Sequence, residues 1–163
     1  MKLYNGDCLE IMKTIQDKSI DAIITDPPYG TTACKWDSVI DFKLMWVQLN
    51  RIIKPNGAIV LFGSEPFSST LRMSNIKNYK YDWKWDKIVP TNFLNAKRQP
   101  MRIYEDIMVF NSKNYYPIMV KREKPIKGYA TRSITNSDIK LDKKQRVYTH
   151  KYPTNKIEVK KLK

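Results

Sequence analysis

Apolar positions along the first 110 residues fall into alternating helix-like and strand-like rhythms. Leu9, Met12 and Ile15 recur at three-residue spacing behind Asp7, a residue type that caps helices. Leu3-Tyr4, just before, reads as a short strand ending at Gly6. Ile20 to Thr25 is a continuous apolar run of strand length, suited to a buried parallel strand. It stops at Asp26-Pro27-Pro28-Tyr29-Gly30, because two prolines interrupt ladder and helix alike. Leu44, Met45, Leu49, Ile52 and Ile53 make one face of a second helix that Asp41 can cap, ended by Lys54-Pro55-Asn56-Gly57. Ala58 to Phe62 is the next strand, and Ser64 is placed to cap a third helix holding Leu71 and Met73. Tyr79, Tyr81, Trp83 and Trp85 share one face if their strand is regular. Ile107 to Phe110 is a last apolar run. The alternation predicts an α/β fold, a doubly wound and mostly parallel sheet with helices on both faces. Beyond Asn111 the periodicity fades, and a loop-rich or disordered segment is expected from 121 onward. The sequence therefore divides into 1–110 and 111–163.

Charge sharpens that division. The formal net charge is +14. Residues 1–110 hold 15 Lys/Arg against 12 Asp/Glu, and residues 111–163 hold 15 against 4. The basic segment points to a polyanion partner, with a plain solvated tail as the alternative. Lys121-Arg122 and Lys143-Lys144 are its best phosphate candidates, because few acids offset them. Lys97 and Arg98 are further candidates in the first region. No run approaches the roughly 20 apolar residues of a membrane span, and no apolar leader opens the sequence, so a cytoplasmic protein is expected. Cys8 and Cys34, with His150 as the single histidine, do not supply a four-ligand metal site, and none is expected. Trp46, Trp83 and Trp85 read as core fillers. Trp36 follows the proline pair in a loop and is the tryptophan placed to stack on a substrate.

The sequence Asp26-Pro27-Pro28-Tyr29 carries the chemistry. By composition alone it should arise by chance in about one chain in a thousand of this length, and it stands directly after a strand. In doubly wound sheets, ligands bind beyond the carboxyl ends of strands. An aromatic amine is a poor nucleophile because its lone pair is delocalised into the ring. Two acceptors gripping its N–H protons favour a pyramidal nitrogen and free the pair. The Asp26 carboxylate can accept one such bond and the Pro27 carbonyl the other, with Pro28 fixing the backbone. Tyr29 offers a flat face to an extruded base.

These residues resemble the catalytic motif of the amino-group DNA methyltransferases, in which aspartate at the first position is associated with adenine N6 and serine with cytosine N4. Tyr4-Asn5-Gly6-Asp7-Cys8-Leu9 is similar to the segment whose aspartate helps hold S-adenosylmethionine. The resemblance thus makes Asp7 and Asp26 cofactor-binding candidates. Leu49 to Gly57, and Asn95 to Pro100 with Glu105 to Phe110, are similar to later parts of the same domain. The order resembles the permuted branch, catalytic half first, then target recognition, then the cofactor half. His150-Lys151-Tyr152-Pro153-Thr154-Asn155-Lys156 is similar in part to the stretch that precedes that last half. The resemblance implies a methyltransferase-type sheet, incomplete here, acting on double-stranded DNA with S-adenosylmethionine as methyl donor.

One departure is plain. The family's second half carries a glycine-rich turn that lets the backbone approach the donor, whereas Gly6, Gly30, Gly57, Gly63 and Gly128 lie too far apart to form it. Half of the cofactor pocket is therefore expected outside these 163 residues, supplied by a longer protein or by a second chain. The alternative is an inactive DNA-binding remnant.

Overall fold

The computed structural model describes residues 1–129 and 145–158. Two compact units emerge. The first is Met1–Tyr115 together with the chain from Asn155, and the second is Tyr116–Thr154.

In the first unit, α1 (Cys8–Lys13) starts where Asp7 Oδ1 accepts the Leu9 N–H at 2.7 Å. Ile15 falls beyond its end, and Leu3-Tyr4 forms no strand. The helix is too short to stand alone. Arg51 braces its C-terminal turn, donating to the carbonyls of Met12 at 2.6 Å and Ile15 at 2.8 Å and pairing with Asp17. β1 (Ile20–Thr25) follows, then α2 (Phe42–Ile52), capped by Asp41 Oδ1 on Leu44 N at 3.0 Å. Next come β2 (Ile53–Gly63), α3 (Phe67–Ser74), β3 (Tyr79–Thr91) and β4 (Arg102–Phe110). The second unit then contributes β5 (Val120–Tyr129) and β6 (Gln145–Lys151), and β7 (Lys156–Glu158) returns to complete the first. Ser64 is not the cap of α3. Pro66 occupies that position after a cis Glu65–Pro66 bond, and the Glu65 carboxylate takes the Ser69 N–H at 3.1 Å instead.

The sheet order is β1-β2-β4-β3-β7. β1 and β2 are parallel, as are β3 and β7, while β4 runs antiparallel to both its neighbours. Four strands thus share one direction, matching the mostly parallel sheet expected. The helices differ from expectation. Met45, Trp46 and Leu49 of α2, Phe67 and Leu71 of α3, and more peripherally Leu9 and Met12 of α1 join one cluster with Ile59, Leu61, Met108 and Phe110. All three therefore pack on one face rather than on both. The opposite face carries Val60, Phe62, Trp83 and Trp85, half-buried, with Trp85 edge-on to Phe62 at 6.1 Å. Tyr79 does not join this row. The register shifts between Tyr79 and Tyr81, and Tyr79 turns into the helix-side core against Phe110.

The apolar run Ile20 to Thr25 predicts a buried strand. β1 is instead an edge strand, with Ile24 69% exposed. An apolar run reports a strand, not whether both its edges are paired.

The described residues of the second unit contain two strands where the sequence predicts a loop-rich segment. β5 and β6 form a two-stranded antiparallel ribbon. Its charged, low-hydrophobicity sequence hides the strands, because a ribbon with no buried face needs no apolar alternation.

Candidate active site

The tetrad Asp26-Pro27-Pro28-Tyr29 leaves the carboxyl end of β1, as the sequence predicts. The Asp26 side chain is exposed, Pro27 is buried, and Pro28 and Tyr29 are half-buried. Together with Thr31, Thr32, Trp36 and Asp37 they line a cleft of about 300 Å³. The Tyr29 hydroxyl donates to Asp26 Oδ1 at 2.5 Å. The other carboxylate oxygen, Oδ2, is left to accept a further hydrogen bond. The Tyr29 ring leans on Phe67 at 4.9 Å, and Phe67 on Phe42 at 5.7 Å, so α2 and α3 together set the ring. Burial, then the bond to Asp26, push the phenol well above its ordinary range, so Tyr29 remains a donor at neutral pH.

Asp37 organises the far wall, and sequence reasoning missed it. The residue is 7% exposed, and its carboxylate accepts the backbone N–H groups of Gly30 at 2.9 Å, Thr31 at 2.9 Å and Thr32 at 2.7 Å. The Thr32 side chain and then these N–H groups hold its carboxyl down at about 2. Gly30 takes φ +69°, the left-handed region, and a Cβ there would stand 2.9 Å from Val39 Cγ2. Loop and carboxylate form one closed turn, with Trp36, 74% exposed, on its rim. The available signal was an Asp a few residues beyond a Gly-Thr-Thr run, which is the spacing of a side chain folding back on loop amides.

A second cleft of about 490 Å³ lies beyond the end of β2, along the first part of β4 and beside Lys84 of β3, lined among others by Ser64, Met101, Arg102, Tyr104 and Asp106. Beneath it Asp106, 6% exposed, binds Arg72 of α3 at 3.0 Å and also Lys84, which reaches Asp82 at 3.0 Å. Lys84 and Arg72 hold the Asp106 carboxyl below its usual range against the cost of burial.

The remaining candidates scatter. Asp7 caps α1 and is not among the residues lining the tetrad cleft. Lys97 and Arg98 are exposed in the turn between β3 and β4. Lys121 and Arg122 lie on the ribbon. Lys143 and Lys144 fall outside the described residues. Cys8 and Cys34 are free and exposed. Among the described residues, no helix is long and apolar enough to cross a membrane.

No family model matches the chain. The Type II methyltransferase M.HpaI of Haemophilus parainfluenzae is 33% identical over 119 residues, covering 67% of this chain and 38% of that protein. M.BamHI of Bacillus amyloliquefaciens is 27% identical over 113 residues, covering 56% of this chain and 27% of that protein. The chain thus spans well under half the length of these relatives. Among solved structures, the PvuII DNA methyltransferase, described as cytosine-N4-specific, superposes at a TM-score of 0.53 with 18% identity, over 71% of this chain and 50% of that one. The fold is that of the S-adenosylmethionine-dependent methyltransferases. Within that class the chain belongs to the amino-group DNA methyltransferases, in the form whose tetrad reads Asp-Pro-Pro-Tyr.

Proposed function

We propose that this chain supplies the base-binding, catalytic part of a DNA methyltransferase that modifies adenine at N6. The observation that carries the reading is the exposed Asp26 carboxylate, fixed by Tyr29 and opening into a cleft at the end of a parallel strand.

In this reading an adenine extruded from the duplex enters between Tyr29 and Trp36. Tyr29 occupies one oxygen of Asp26, so the other accepts the first amine proton. The Pro27 carbonyl accepts the second, on a backbone that two prolines hold rigid. So gripped, the amine becomes a nucleophile. Its nitrogen gains the methyl carbon, that carbon's bond to sulfur breaks, and one amine proton departs along the Asp26 hydrogen bond. S-adenosylmethionine, when bound, supplies the sulfonium methyl. The residues here fit the acceptor side of this chemistry. Asp26 would also border the donor, as Asp7 would once released from its capping bond, but no closely spaced glycines offer the donor a close backbone approach. The donor side is therefore assigned to sequence beyond these residues. Lys97, Arg98, Lys121 and Arg122, and by charge Lys143 and Lys144, act on the DNA backbone in this reading. Residues 111–163 begin the target-recognition region.

The reading is tested by incubating duplex DNA with labelled S-adenosylmethionine and the chain, alone and with a polypeptide carrying the glycine-rich half, then analysing nucleosides. N6-methyladenine is expected, abolished by Asp26→Ala while DNA binding stays nearly unchanged. Methylcytosine as the product, or full activity of Asp26→Ala, would overturn it.

A further inference from the structure

We propose that the β5–β6 ribbon enters the major groove of duplex DNA and presents Lys127, Val147, Thr149 and Lys151 to the base edges. The inference rests on the methyltransferase reading and adds which element recognises the duplex, and through which groove.

Three observations converge. The first is charge. The two strands hold six Lys or Arg against a single Glu, Glu123. Lys121, Lys124, Lys127 and Lys151 are all exposed, so the imbalance faces solvent and suits a polyanion. The second is shape. A two-stranded antiparallel ribbon fits the major groove of B-DNA, about 12 Å wide, and not the minor groove, about 6 Å wide.

The third is the difference between the ribbon's faces. The register pairs Ile126 with Tyr148 and Gly128 with Arg146 on one face, and Lys127 with Val147 and Val120 with Lys151 on the other. On the first face the Tyr148 ring lies across Gly128, where a Cβ would come within 3.4 Å of it. On that face Tyr148 thus lies partly on the ribbon's own backbone and is 37% exposed, against 58% for Val147 on the other. On the second face, Lys127 and Lys151 extend as donors suited to guanine O6 and N7, and Val147, 58% exposed, offers methyls to a thymine methyl. Between Lys121 and Ile126 the pairing is irregular, and Arg122 there donates to the His150 carbonyl at 3.2 Å. This stretch, with Lys121 and Lys124, is placed for phosphates beside the groove.

The test is fluorescence anisotropy of the full chain on a mixed-sequence duplex without methyl donor. Methyl green, a major-groove ligand, is expected to displace the protein, and distamycin, a minor-groove ligand, is not. A duplex whose cytosines carry glucosylated hydroxymethyl groups, which fill the major groove, should bind about tenfold more weakly or worse. Lys127→Ala/Lys151→Ala should lose about tenfold in affinity and erase the sequence preference recovered by selection from a random pool. Lys127→Arg/Lys151→Arg, which keeps the charges, should retain affinity. Displacement by distamycin alone, unimpaired binding to the glucosylated duplex, or wild-type affinity and preference in the double alanine variant would overturn the proposal. A chain that passes these tests but methylates nothing even with a polypeptide carrying the glycine-rich half contradicts the enzyme reading only. One that methylates adenine with the ribbon variant unimpaired contradicts the ribbon only.

Discussion

Asp26 and Asp37 both line one small cleft and divide its work. Asp26 faces solvent with Tyr29 on one oxygen, whereas Asp37 is buried and turned on three loop amides. Rarity made the first legible in the sequence. The second was not, because an aspartate in a polar loop looks the same whether it is solvated or folded back on backbone amides. Its depressed carboxyl makes the distinction measurable. A carboxyl held down at about 2 against an ordinary 3.8 adds stability that is fully present above about pH 4 and is lost as pH falls through about 2. Asp37→Asn is therefore expected to melt below the wild type at neutral pH, and the gap should close as pH drops from about 4 to about 2. A gap that stays constant over that window, by thermal denaturation, would show that the carboxylate does not hold the loop.

The elements explain why some of the fold could be read and some could not. β1 follows from its apolar run, though not its exposure, and α2 and the body of α3 follow from their apolar faces; Asp7 and Asp41 cap where their positions suggest. Ser64 misled because Pro66, not a side-chain acceptor, opens α3. Tyr79 misled because a register shift cannot be seen in an alternating aromatic pattern. The turn after β1 is also an element, and Gly30 is its pivot. Gly30→Ala must hold a side chain at φ +69° with its Cβ 2.9 Å from Val39 Cγ2. A cost of about 1–2 kcal/mol is expected from the backbone conformation, measurable by urea unfolding. An unchanged midpoint would mean that the turn does not depend on the left-handed residue.

At the scale of the whole molecule, the charge is uneven along the chain: residues 1–110 hold 15 Lys/Arg against 12 Asp/Glu, and residues 111–163 hold 15 against 4. The helices cover one face of the sheet, the strand that leads into the tetrad lies at an edge, and the chain spans 38% of one relative and 27% of another. The tetrad end of the site is nonetheless complete in itself: carboxylate, proline-held carbonyl, tyrosine and tryptophan all come from residues 26–36. Recognition of the amine should therefore not depend on the methyl donor. The most direct measurement is a titration of the chain, without donor, with adenosine and with N6,N6-dimethyladenosine, followed by NMR at the Trp36 indole N–H. Adenosine is expected to shift that signal saturably in the wild type and not in Asp26→Ala, while the dimethyl compound, which has no amine protons to grip, leaves it in place. Equal shifts from both nucleosides, or an undiminished response in Asp26→Ala, would contradict the account.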